Sequence, residues 1–306
     1  MRFAQIAKRI TLFLLVNLLV MLTIGVIVSL VFRGPVARMG GYQNLFLFCF
    51  IWGMGGAFIS LLLSRWMAKM MMGVQVVDPD TSDPDEQRLV QTVHRLARAA
   101  GLPAMPEVGI YNSPEVNAFA TGPSRSRALV AVSSGLLAHM RQYDVEGVLG
   151  HETAHIANGD MVTMTLIQGV VNAFAMFLAR VLAFALSRGS SRDDNRGGNF
   201  FVEWMLINLF QVVFMMLGMI VVNWFSRWRE FRADAGGARF AGRDHMLSAL
   251  KTLQAIHEGG ADIAGAPQPA FQALKISGKS SGLLALFASH PPLEERIARL
   301  EHPSAD

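Results

Sequence analysis

The sequence predicts an α+β protein in which four candidate membrane-spanning helices carry a small mixed helix–sheet domain. Three observations carry that expectation. The 306-residue chain is 52% hydrophobic and only 16% charged, against about 25% charged in an ordinary soluble domain. Its apolar residues are clumped into runs, each long enough to cross a hydrocarbon layer of about 30 Å, which takes about 20 helical residues. Between and after these runs lie polar segments in which helix caps alternate with short β-prone stretches.

The first two runs, at about 11–32 and 42–64, carry no charge. A second pair lies at about 163–187 and 204–226. The third run holds Gln168, Asn172 and Arg180, and an arginine near mid-span costs about 2.5–3.5 kcal/mol on an insertion scale. Arg180 either snorkels toward the polar loop 188–199 or sits inside the bundle, or the hairpin crosses only in part. The first run is too long for a signal peptide and lacks a small-residue cleavage site before Arg33. The chain thus divides into an N-terminal membrane hairpin (1–66), a polar part (67–162), a second membrane hairpin (163–226) and a C-terminal polar part (227–306).

Two spans separate the polar parts, so both emerge on one side and can build one domain. Arg2, Lys8, Arg9, Arg65, Lys69, Arg227, Arg229 and Arg232 flank the runs on that side, against Arg33, Arg38, Arg188, Arg192 and Arg196 on the other. This bias places the domain in the cytoplasm. The lone cysteine, Cys49, lies inside the second run, which excludes an intrachain disulfide and fits a reducing compartment. The flanking cations account for the calculated pI near 9.6. No basic-aromatic motif points to nucleic acid as a partner.

Within the polar parts, Asp83 is placed to cap a helix opened by Pro84, with Glu86 set for a capping box. Leu89, Val93, Leu96 and Ala97 make its apolar face, and Gly101 ends it. The runs 108–111, 117–121 and 128–133 predict a small sheet. Asp144 is a candidate cap for the next helix, which Asn158-Gly159 stops. Val145, Val148, Leu149 and Ile156 would pack that helix on the sheet. Residues 259–281, rich in Gly, Ala and Ser, predict a loop.

That capped helix carries the chemistry. In His151-Glu152-Thr153-Ala154-His155, histidines at i and i+4 project from one face and can reach a single metal ion. Glu152 lies beside them, within reach of a water at the metal. Zinc held by neutral imidazoles lowers the pKa of water toward about 7, and a carboxylate can then take the proton as water attacks a carbonyl. A catalytic zinc needs a third protein ligand and one open position. Glu230 is the candidate, within Ser226-Arg227-Trp228-Arg229-Glu230-Phe231-Arg232-Ala233-Asp234. If this segment continues the fourth run as a helix, Glu230 and Asp234 share a face, where like charges repel unless a cation or donor lies between them. Zinc on Glu230, with Asp234 accepting an N–H from a ligand histidine, satisfies both. Neutralisation by Arg227, Arg229 and Arg232 on a solvated face is the equal alternative from spacing alone.

The pairing of His-Glu-Thr-Ala-His with the later Glu-Phe-Arg-Ala-Asp resembles the HtpX membrane metalloproteases, relatives of the CAAX prenyl proteases. The resemblance covers nearly the whole chain, including Asn117-Ala118-Phe119-Ala120-Thr121-Gly122 and the terminal His290-Pro291-Pro292-Leu293-Glu294-Glu295-Arg296-Ile297. It implies a zincin-like domain binding one Zn2+ per chain, with His151, His155 and Glu230 as ligands and Glu152 as catalytic base. It also implies stress-linked quality control of membrane proteins at the bacterial inner membrane, with the site facing the cytoplasm. Asn117, Ala118 and Phe119 resemble that family's edge strand beside the active site, where an extended substrate can add by main-chain hydrogen bonds; an ordinary buried strand with Phe119 in the core is the alternative.

His290 is a candidate donor to a developing oxyanion, or a structural loop histidine. Asp160 and Asp234 are candidates to brace the ligand histidines. The function expected is zinc-dependent endopeptidase action on misfolded or damaged membrane proteins, with the lipid bilayer as surroundings. Two rivals are a processing protease trimming one membrane-associated substrate and a non-catalytic membrane scaffold with structural zinc. The second fits poorly, because closed structural sites are rich in Cys.

Overall fold

The computed structural model describes residues 41–189, 196–258 and 290–302. The candidate span at 11–32 and the loop expected at 259–281 lie outside these residues. In chain order the elements are α1 (Gly41–Met72), β1 (Gln75–Val76), α2 (Pro84–Ala99), β2 (Glu107–Tyr111), β3 (Ala118–Ser124) and β4 (Arg127–Ser133). There follow α3 (Ser134–His139), α4 (Gln142–Asn158), α5 (Asp160–Gly189), α6 (Arg196–Ala241), α7 (Arg243–Glu258) and α8 (Leu293–Glu301). Among the described residues, three helices, α1, α5 and α6, are long and apolar enough to cross a membrane. They contain the second, third and fourth runs.

The described residues gather into two compact units. One takes those up to Ser60 together with Met164–Val222. Its helices approach closely where side chains are small: a Cβ on Gly53 would lie 2.6 Å from the Ala173 backbone nitrogen. The Phe46 ring stands edge-on to Phe177, with centroids 5.4 Å apart. Small residues and close contact are what hold helices together where no water drives them. Arg180 is part-buried and donates to the Met176 carbonyl at 3.0 Å, which keeps its charge within the unit. Large apolar side chains such as Leu209, Val212 and Leu217 face outward.

The second unit, Leu61–Thr163 with Asn223 onward, holds a four-stranded sheet in the order β1-β2-β4-β3. β2 and β4 run parallel, and the outer pairings are antiparallel. The three strands expected are present; β1, only two residues long, gave no alternation to read. Central β4 is buried on both faces. Ala128, Val130 and Val132 join the main core with α2, α4 and α7, whereas Leu129 and Ala131 meet Tyr111, Phe119, Val74 and Ala68. Gly122, at φ +144°, sits at the β3 bulge, where a Cβ would lie 2.2 Å from the Arg127 carbonyl oxygen. Arg65 and Lys69 at the end of α1 both pair with Glu107 of β2, Lys69 at 2.7 Å, tying this helix to the sheet.

Asp83 caps α2 as expected, accepting from the N–H groups of Asp85 and Glu86 at 2.8 and 3.2 Å. The box closes through Thr81, whose hydroxyl donates to Glu86 at 2.8 Å and accepts the Asp83 N–H at 3.3 Å. Asp144 does not cap α4. Arg141 holds that position without a side-chain bond. Asp144 is instead fully buried in the first turn and accepts from Arg141, Ser248 and Thr252, because α7 brings two hydroxyls to it. Gly159, in the left-handed region at φ +70°, stops the helix as read.

Candidate metal centre

Helix α4 supplies His151, Glu152 and His155, all turned toward the interior of this unit. Helix α6 crosses it at small residues. A Cβ on Gly150 would lie 2.8 Å from the Ala241 Cβ, and one on Gly237 would lie 2.9 Å from the His151 backbone nitrogen. This close crossing brings Glu230, two helical turns earlier on α6, against both imidazoles.

The three candidate ligand groups converge. His151 Nε2 lies 3.1 Å from His155 Nε2 and 3.5 Å from Glu230 Oε2, and His155 Nε2 lies 3.3 Å from Glu230 Oε1. Atoms bound at about 2.0–2.1 Å to one tetrahedral ion stand about 3.3–3.4 Å apart. The observed spacings are of this size, His151 approaching one Glu230 oxygen and His155 the other, so that two imidazoles and one carboxylate stand close enough to share an ion. A carboxylate beside each Nδ1 favours the tautomer that such a site needs. His151 Nδ1 is 2.9 Å from Asp234 Oδ1, and His155 Nδ1 is 2.6 Å from Asp160 Oδ2. A proton on each Nδ1 donates to these carboxylates, leaving the Nε2 lone pairs facing one point.

The charge balance fits a cation. Glu152, Asp160, Glu230 and Asp234 are all buried. The guanidinium groups nearest them are Arg296, 2.6 Å from Asp234, and Arg229, 3.8 Å from Asp160. Burial opposes a proton on His155, yet Asp160 and Glu230 outweigh it and raise its pKa to about 10. His151 is raised in the same way by Asp234 and Glu230. A field that favours a proton on these nitrogens also favours a metal ion, which displaces it. Burial pushes the Glu152 carboxyl above its ordinary range.

Arg296 is the residue that spacing did not single out. It is 1% exposed, donates to both oxygens of Asp234 at 2.8 and 2.6 Å, and holds Nη1 3.7 Å from Glu230 Oε2. Its place six residues after His290 in a short amphipathic helix was the available signal. His290 lies at the site too, its Nδ1 2.7 Å from Glu230 Oε2 and its Nε2 buried without a hydrogen-bond partner among the described residues. Strand β3 forms the sheet edge beside α4. Asn117 faces β4, its carbonyl accepting the Ser133 N–H at 2.9 Å, and Phe119 lies in the smaller core. By the two-residue alternation of an antiparallel ladder, the backbone groups of Ala118 and Ala120 face the open edge. The Ala120 N–H is directed at Glu152.

A family model described as Peptidase family M48 matches residues 83–304. The chain belongs to peptidase family M48. It is 51% identical over 306 residues to the protein named Protease HtpX homolog of Bacillus subtilis (strain 168), covering 96% of this chain and 99% of that one. It is 49% identical over 300 residues to Protease HtpX of Aeromonas hydrophila, with the same coverage of each. Among solved structures, its fold is similar to that of S. mikatae Ste24p, with a TM-score of 0.57 at 17% identity, covering 93% of this chain and 66% of that one. This M48 member is a membrane-bound, zinc-dependent metallopeptidase.

Proposed function

We propose that this metallopeptidase is an endopeptidase of the bacterial inner membrane, facing the cytoplasm, that degrades misfolded or damaged membrane proteins. In this reading His151, His155 and Glu230 hold zinc, Glu152 is the general base, and the division at 66, 162 and 226 separates membrane hairpins from the two halves of the catalytic domain. The observation that carries the site assignment is the approach of two Nε2 atoms and the Glu230 carboxylate to within 3.1–3.5 Å of one another, with a carboxylate beside each Nδ1.

Zinc at this site supplies Lewis acidity toward a carbonyl and toward water. The chain's own residues do the rest. The scissile segment lies extended along the outer edge of β3, pairing with the backbone of Ala118, so that recognition is of main chain and tolerates many sequences. Glu152 takes the proton of the attacking water and returns it to the leaving amine. His290, its Nδ1–H on Glu230, can donate from Nε2 to the developing oxyanion when the ring carries both protons. Asp234 and Asp160 hold the ligand rings, and Arg296 holds Asp234.

Purified, detergent-solubilised protein with added zinc tests this reading on an unfolded model protein, beside its Glu152→Gln twin. Fragments from many sites with the wild type, and none with the twin, are expected. A single cut would replace broad degradation by processing of one substrate. Cleavage by the twin would overturn the role of Glu152.

A further inference from the structure

The outer face of α6 takes no part in the site. Between Asn223 and Ala241 the acidic residues, Glu230 and Asp234, are buried on one side together with Asn223 and Ser226. The opposite side, read at helical spacing, runs Trp224, Trp228, Arg232, Ala235 and Arg239, all exposed. Trp224 is 63% and Trp228 47% exposed, and the Arg232 guanidinium carbon lies 4.9 Å from the Trp228 ring centroid. Arg229 in the same turn is directed inward, toward Asp160. Earlier on the helix the exposed positions are aliphatic: Val213, Leu217 and Val221. On α1, Leu62, Trp66 and Met70 are exposed at the same spacing. Aliphatic, then indole, then guanidinium is the order of a helix leaving hydrocarbon through a head-group layer.

We propose that Trp228 and Arg232 form a binding surface for anionic phospholipid head groups. The indole lies at the edge of the acyl region and the guanidinium meets the phosphodiester. Among the described residues of α6 no carboxylate shares this face between Trp224 and Arg239, so the charge of Arg232 selects an anionic lipid over a zwitterionic one.

The test uses the zinc-loaded full chain in nanodiscs, with Trp52, Trp66, Trp204 and Trp224 replaced by Phe so that Trp228 alone fluoresces. Brominated phosphatidylglycerol, as a minor fraction in phosphatidylcholine, is compared with brominated phosphatidylcholine at the same fraction. Local enrichment of the anionic lipid of about fivefold is expected beside a basic side chain at the surface, read as stronger quenching. Arg232→Gln removes the excess, whereas Arg232→Lys and Arg239→Gln keep it. Equal quenching by both lipids overturns the anionic site, and no quenching by either overturns the depth. Zinc content reports folding of each variant. Because the readout is fluorescence, loss of the peptidase reading would leave the lipid result standing, and the reverse.

Discussion

Arg296 grips Asp234 through both carboxylate oxygens, at 2.8 and 2.6 Å, and Asp234 Oδ1 in turn lies 2.9 Å from Nδ1 of His151. A helix near the C-terminus thereby sets the orientation of an imidazole on α4, nearly half the chain earlier. Carboxylates that hold ligand histidines typically govern metal affinity by about 10–100-fold. Replacing Arg296 with Gln should weaken zinc binding within that range, measured by competition with a chelator. It should also cost about 3–5 kcal/mol in stability, because Asp234 is left buried without its counter-charge. Unchanged zinc affinity would reduce Arg296 to a packing residue.

Asp160 makes the matching contact to His155 at 2.6 Å. Asp160→Asn keeps the shape and can still accept the Nδ1–H, but it removes the negative charge that raises the basicity of the ring. Zinc affinity should fall by about tenfold or more. If Asn were tolerated without loss, charge at this position would not matter to the metal.

Gly237 allows α6 to approach α4. A Cβ there would stand 2.9 Å from the His151 backbone nitrogen and 2.9 Å from Met246 Sδ. Gly237→Ala should cost about 1–3 kcal/mol as overpacking, and because the strain falls on the helix crossing that brings Glu230 to the histidines, zinc occupancy should fall with it. Thermal unfolding and zinc content of the same preparation test both expectations.

Asp144 gives a pH signature remote from the metal. Its carboxyl is held below the ordinary range by Ser248, Arg141 and Thr252, against the opposing effect of burial. A depressed folded pKa means that its stabilisation is complete above the unfolded carboxyl pKa of about 3.9 and is lost as pH falls through the folded value. Asp144→Asn should therefore flatten the acid limb of the stability curve below about pH 4. Asp144→Ala should cost about 2–3 kcal/mol near neutral pH, by leaving two hydroxyls unsatisfied. An acid limb identical to the wild type in Asp144→Asn would contradict the assignment.

How much of this is legible in the sequence differs from residue to residue. His151, Glu152 and His155 could be read at once, because one turn of helix creates their geometry. The apolar runs at 42–64, 163–187 and 204–226 could be read because membrane-spanning length leaves a plain compositional trace. Glu230 was only half legible: its spacing from Asp234 indicated a shared face, but the approach of α6 to α4 depends on Gly150 and Gly237, whose role appears only on packing. Arg296 stayed hidden because its partner Asp234 lies 62 residues away. Asp144 misled because a buried carboxylate in a first turn and an N-cap share the same sequence context. The edge reading of 117–119 shifted by one residue, since Asn117 and Phe119 turn their backbone toward β4 and leave the outer groups to Ala118 and Ala120.

The most direct test of the central claim is zinc per chain in the wild type, Glu152→Gln and Glu230→Ala after dialysis, with proteolysis measured on the same samples. One zinc in the first two, cleavage only in the first, and loss of both metal and cleavage in Glu230→Ala is the expected result. Full zinc occupancy in Glu230→Ala would show that the third ligand lies elsewhere, and cleavage by Glu152→Gln would show that another group activates the water.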